Sequence, residues 1–242
     1  MVMGGDWMLK EGEVYFNNNM SISLNLFLEE YPSIPIANED YDPVPVEGRN
    51  GDLFINKGTY PNKEIPFTFS IRSEEIDIDF DKVYAWLTEI EDSRLLFGRE
   101  DRCYKVKKVL FGNLKKEFRS IGEFDVTFIC ESFSQDLDLT TYEVTSNNFS
   151  FYYDGNAPSE PLIKVFGNGN IQLVVNGETM VISNVSDYVE VDSNLMQVRN
   201  LNLTSKDDDA IGNFALFTKG ENTISYIGTV TKIIVEYTTQ YK

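Results

Sequence analysis

The chain contains no histidine. That absence excludes a Ser-His-Asp triad, an imidazole general base and any histidine-ligated metal. Cysteine is nearly as scarce: Cys103 and Cys130 are the only two, too few for a zinc ribbon or a disulfide framework. Both sit in strand-like stretches and read as buried reduced thiols, with a bond between them left to geometry. No stretch approaches the ~18 consecutive apolar residues of a membrane span. Residues 1–10 carry Asp6 and Lys10, with neither a basic start nor an apolar run, and so read as no secretory leader. A protein folded in the cytoplasm of the cell that makes it is the expectation.

Positive charge is also in deficit. Twenty-one basic residues face 39 acidic ones, a formal net charge of −18. Such a surface repels a nucleic-acid backbone and favours solubility. What is abundant is aromatic: 17 Phe and 13 Tyr among 242 residues lean the chain toward sheet. A chain of this length has an ample core and room for two domains.

Residues 14–28 alternate apolar and polar positions and predict one or two short strands. Between residues 31 and 48 stand Pro32, Pro35, Pro43 and Pro45. Four missing backbone donors make this an extended arm or loop rather than a central strand. Residues 49–62 are dense in turn residues, with Gly51 and Gly58 free to take positive φ. Ile65, Phe67, Phe69 and Ile71 then share one face of a half-buried strand. Val83, Trp86, Leu87 and Ile90 fall at i, i+3, i+4 and i+7, which predicts a helix over residues 80–92. Asp79 is its expected N-cap, with Asp81 favouring the positive end of the dipole. Strands resume at Tyr104–Phe111 and Phe124–Cys130.

Residues 132–147 turn to Ser, Thr, Asp and Asn and read as a linker. Beyond them the chain predicts strands at Phe149–Tyr153, Leu162–Phe166, Ile171–Val175, Thr179–Ile182, Tyr188–Val191, Met196–Val198, Thr223–Ile227 and Val230–Tyr237. Asn176-Gly177 is the strongest hairpin signal. The spacing indicates a β-sandwich. No repeat of 20–50 residues is evident.

Candidate chemistry is thin. Glu74, Glu75, Asp77 and Asp79 have the types for a glycosidase pair or a calcium site, but such runs are mostly solvated edges. Asp207-Asp208-Asp209 is the better metal candidate, though its spacing fits no calcium loop. Gly167-Asn168-Gly169-Asn170 reads as a turn, since no phosphate-binding glycine pattern opens a helix. Tyr152, Tyr153, Tyr188 and Tyr226 are candidates for stacking sugar rings, with core packing the simpler reading.

An ordered set of segments carries a resemblance. Val46-Glu-Gly-Arg-Asn-Gly-Asp-Leu53 precedes Gly58-Thr-Tyr-Pro-Asn62 and Ile65-Pro-Phe-Thr-Phe69; Tyr104–Phe111 and Ile121–Cys130 follow the helix. Gly155-Asn156, Glu160–Lys164, Gly167–Ile171, Gly220–Ser225 and Val230–Tyr237 continue the series. Over residues 14–237 the chain resembles the distal tail protein family of long-tailed, siphovirus-type phages and prophages of Gram-positive bacteria.

The resemblance implies a mainly β protein without catalysis or cofactor. An N-terminal, β-sandwich-like ring domain with one helix would occupy residues 1–136, and a galectin-like β-sandwich residues 137–242. Six copies would form a baseplate hub at the virion tail tip, assembled in the host cytoplasm. The hub would join the tail tube protein to tail-associated, baseplate or receptor-binding proteins. DNA would pass the channel without stable binding, and no membrane is involved. A belt between protomers would include Arg49, Asn50, Gly51, Asp52, Tyr60 and Asn62. The chain has no room for an inserted carbohydrate module. The rival reading is a carbohydrate-binding β-sandwich used for adhesion; a glycoside hydrolase has carboxylates but no supporting constellation.

Overall fold

The structure, a computed structural model, describes residues 9–118 and 120–242. Among the described residues the chain is mainly β with one α-helix, and it forms two compact units. The first runs to Ser134 and includes Lys242; the second spans Gln135–Tyr241.

The first unit holds β1 (Val14–Phe16), β2 (Asn19–Met20), β3 (Leu26–Leu28), β4 (Tyr41–Val44), β5 (Leu53–Asn56) and β6 (Lys63–Arg72). Helix α1 (Ile76–Thr88) follows, then β7 (Arg94–Phe97), β8 (Arg102–Phe111), β9 (Lys115–Phe118) and β10 (Ile121–Asp136). Its main sheet has the order β2-β1-β7-β8-β10-β6-β3. In the antiparallel β6–β10 pair, Ile65 faces Phe128, Phe67 faces Val126 and Phe69 faces Phe124. These six side chains are buried in one core with Val83, Trp86 and Leu87 of α1. The period-two and period-3.6 stripes thus meet as the residue spacing requires.

The helix differs from the predicted span at both ends. It starts at Ile76, whose buried side chain joins the core, and Glu75 precedes it without a side-chain cap. Asp79 is therefore not the N-cap but a first-turn residue, accepting from Ser73 Oγ at 2.5 Å and Lys82 Nζ at 2.7 Å. At the other end Asn17, in the β1–β2 turn, stops the helix. Its amide nitrogen donates to the carbonyls of Trp86 and Glu89, and its oxygen accepts from the backbone of Glu91 and Asp92. A side chain about 70 positions away supplies the partners that the last turn lacks.

The second unit holds β11 (Thr140–Val144), β12 (Phe149–Tyr153), β13 (Leu162–Val175), β14 (Glu178–Val185), β15 (Tyr188–Asp192), β16 (Gln197–Arg199), β17 (Ala210–Gly212) and β18 (Gly220–Tyr237). The segment read as a linker is instead the end of β10 and all of β11, whose polar residues alternate with Tyr142 and Val144 while its backbone pairs with β18. Four predicted strands merge into two: β13 and β18 each run through a bulge. The first half of β13 pairs with β15 and its second half with β14; β18 pairs with β12 early and β11 late. A single sheet is thereby bent in two, and the halves enclose Ile163, Val165, Ile171, Leu173, Ile224 and Ile233.

Gly167-Asn168-Gly169-Asn170, read as a turn between strands, is the bend inside β13. Backbones approach closely there: a Cβ on Gly167 would lie 2.3 Å from Thr229 O, and one on Gly228 2.6 Å from Asn170 O. At the other end of β13, Asn176 and Gly177 both have positive φ and close the hairpin to β14.

Candidate functional site

The proline-rich arm and the turns after it form an exposed structure with its own logic. Among the described residues β4 and β5 pair only with each other, Tyr41 opposite Asn56 and Val44 opposite Leu53. Alternation along this ribbon puts Val44 and Leu53 on one face, with Pro43 and Phe54 on the other. Both faces are apolar and exposed, Phe54 at 65%. A lone two-stranded ribbon is marginally stable in water, so polar contacts at its root matter.

The root is built around Glu39. Its carboxylate accepts from Tyr41 Oη at 2.8 Å, Asn56 Nδ2 at 2.6 Å and Tyr60 Oη at 3.0 Å. The bond from Tyr41, then those from Tyr60 and Asn56, holds the Glu39 carboxyl below the usual carboxylate range. Lys57 bridges Asp42 at 2.7 Å and Asp40 at 3.2 Å; these bonds raise its pKa. Tyr60 ties the root to the body: its carbonyl accepts from Ser132 Oγ at 2.8 Å, and its ring meets Phe133 edge-on at 4.9 Å between centroids. The Lys242 amine sits 4.7 Å from the centre of the same ring.

The residues assigned to a belt divide between the two ends of the ribbon. Arg49, Asn50, Gly51 and Asp52 are exposed at the tip, where Arg49 N donates to Val46 O at 3.1 Å and Gly51 has φ +80°. Tyr60 is half-buried at the root, and Asn62 is exposed just before β6. Reading residues 49–62 as turns overlooked Leu53-Phe54-Ile55, a short apolar run between Gly51 and Gly58 that forms β5. Glu39 was overlooked as well; Tyr41 is its near neighbour, but Asn56 and Tyr60 lie 17 and 21 positions away and only the fold brings them to it.

Other candidates dissolve into local structure. Asp77 pairs with Lys116, and Asp79 with Lys82 and Ser73. In the Asp207–Asp209 turn, Asp207 accepts from Val198 N at 2.6 Å and Ser205 Oγ at 2.8 Å, while Asp209 binds Lys206 at 2.6 Å. Those bonds, to the Val198 backbone first for Asp207 and to Lys206 first for Asp209, hold both carboxyls low. Among the described residues no three His, Cys, Asp or Glu groups are placed to hold a metal. Cys103 and Cys130 are buried and are not joined in a disulfide; burial pushes the Cys130 thiol up to about 12, away from thiolate chemistry. The four tyrosines form no platform. Tyr153 is buried and donates to Ala157 O, Tyr188 donates to Glu190, and Tyr226 packs on the core; Tyr152 alone stands well exposed.

The sequence matches no protein-family model and no curated protein. The fold is similar to a solved one: the crystal structure of the SPP1 Dit (gp 19.1) protein, described as a paradigm of the hub adsorption apparatus in phages that infect Gram-positive bacteria. The two superpose with a TM-score of 0.67 over 95% of this chain and 99% of that one, at 11% identity.

Proposed function

We propose that this chain is a structural component of a phage tail tip, a hexameric hub that joins the tail tube to the host-adhesion apparatus. The observation that carries the reading is the exposed ribbon of β4 and β5, apolar on both faces and held at its root, on a fold similar over nearly its whole length to that of a hub adsorption protein. A ring of identical subunits needs two different, complementary surfaces on each copy, and a projecting arm is one such half. In this reading residues 1–136 build the ring, with Arg49, Asn50, Gly51, Asp52, Tyr60 and Asn62 in the belt against a neighbouring copy. Residues 137–242 form the outer, galectin-like domain facing tail-associated or receptor-binding proteins. The −18 charge per copy keeps DNA moving through the channel, since captured phosphates would add salt-sensitive friction. Such a protein needs no cofactor and performs no reaction. Negative-stain imaging of the purified chain tests the proposal: rings with a central hole are expected, and particles of single-copy size at all concentrations contradict it.

A further inference from the structure

Nine described non-glycine residues have positive φ. Seven are Asn or Asp, the side chains that tolerate this backbone best; the exceptions are Met196 and Leu203. Both lie in the loop region around β16, and both are exposed, at 68% and 67%. Neither gains burial within the chain that would offset its strained backbone. Asparagine is available next door: Asn202 occupies the ordinary-φ position while Leu203 takes the left-handed one. Leu201, two residues earlier, is 72% exposed.

The tip is also braced by hydrogen bonds. Asn200 pins it with four bonds: its side-chain oxygen accepts from Asn202 N and Thr204 N, both at 3.0 Å, its carbonyl accepts from Leu203 N, and its N–H donates to Thr204 O. Leu201 and Leu203 are thus displayed on a fixed frame, which lowers the ordering cost of binding. Strain without internal compensation points to an external use. The foot of the loop is acidic, with Asp208 exposed beside it. The matching surface is an apolar pocket with a cationic rim.

The chain itself carries one. In its first unit a cavity of about 390 Å³ has walls from Tyr31, Ile34, Phe97 and Tyr104, with Arg99 and Arg102 at its edge. No Asp or Glu side chain is among the described residues that line it, although Asp101, just outside, pairs with Arg99 at 2.6 Å and approaches Arg102 to 3.9 Å. For a chain with 39 acidic against 21 basic residues this is an atypical spot. Its volume lies within the ~300–1,000 Å³ of ordinary binding pockets.

We propose that the Leu201–Leu203 knob of one copy seats in this pocket of a second copy, a head-to-tail contact additional to the β4–β5 ribbon. Asp208 would approach Arg99 at the rim, so the contact weakens with salt. The proposal does not require the hexameric reading.

Two variants of the full chain that each add one cysteine, Leu203→Cys and Ile34→Cys, test it. Cys103 and Cys130 are buried and do not compete. Under mild oxidation the mixture should give a mixed disulfide dimer at least about tenfold faster than Leu203→Cys mixed with a cysteine placed at Thr229, because docking raises the local concentration. Leu203→Asn should melt no lower than the parent, since Asn suits the backbone, yet block cross-linking when introduced beside an Asp208→Cys reporter. Asp208→Lys and Arg99→Glu should each slow cross-linking of the Leu203–Ile34 pair and together restore it. A mixed dimer no faster than the control, homodimers of Leu203→Cys alone, or a charge swap without restoration would overturn the proposal. Rings without this cross-link sink the knob contact and spare the hub; the cross-link without rings does the reverse.

Discussion

The Trp86 indole N–H donates to the carbonyl oxygen of Phe16 at 2.7 Å, and the two rings meet edge-on with centroids 5.7 Å apart. One residue therefore joins α1 to β1 both through a backbone acceptor and through the core. Trp86→Ala should lower stability by about 3–5 kcal/mol, by the cavity it leaves and the Phe16 carbonyl it strands. Trp86→Phe keeps most of the packing and should cost less. Urea unfolding measures both, and a loss below about 1 kcal/mol for Trp86→Ala would contradict this packing.

Asp92 stands in an equally specific place. Burial alone would raise its pKa, but the bonds from Arg94, the Arg94 charge and a bond from Tyr15 outweigh burial and hold it below the ordinary value. Arg94 grips it through Nε at 2.9 Å and Nη2 at 2.7 Å, while Tyr15 Oη lies 3.1 Å away. A lowered folded pKa gives stability that is fully present above the unfolded value of about 4 and is lost as pH falls through the folded value. Asp92→Asn should therefore be less stable than the parent at pH 7, and the gap should narrow below about pH 4. A gap independent of pH would show that the ion pair contributes nothing.

At the bend of the second unit two glycines should behave differently. Gly167→Ala places a Cβ 2.3 Å from Thr229 O, against backbone that cannot yield cheaply. A loss of about 1–3 kcal/mol is expected. Gly169 has φ +83° but open space around it, so Gly169→Ala pays only backbone strain and should cost less. Equal losses in chemical denaturation would mean that close approach is not what the bend requires.

How far this architecture could be read from residue order depends on the range of the forces involved. The alternation from Ile65 to Ile71, the stripe Val83-Trp86-Leu87 and the Asn176-Gly177 turn are local signals, and each marks an element of the fold. The helix ends were not legible, because Asn17 terminates α1 from another part of the chain and Ile76 is recruited by a core it does not announce. Polar residues hid β11, whose pairing with β18 lies about 90 positions away. Glycines at a bulge and at a chain reversal look alike in sequence, so β13 and β18 each read as two strands. At the candidate site the prolines argued against a central strand, and the ribbon and its Glu39 root emerge only from pairing.

The central claim, that the β4–β5 ribbon joins copies into a ring, is tested most directly by solution mass. Light scattering should give the parent chain a species about six times its 27.7 kDa monomer as concentration rises. Replacing Leu53, Phe54 and Ile55 together with serine should change the melting behaviour little, by roughly ±0.5 kcal/mol per exposed site, and should abolish the sixfold species. A parent that is monomeric at every concentration, or a serine variant that assembles as the parent does, would contradict the account.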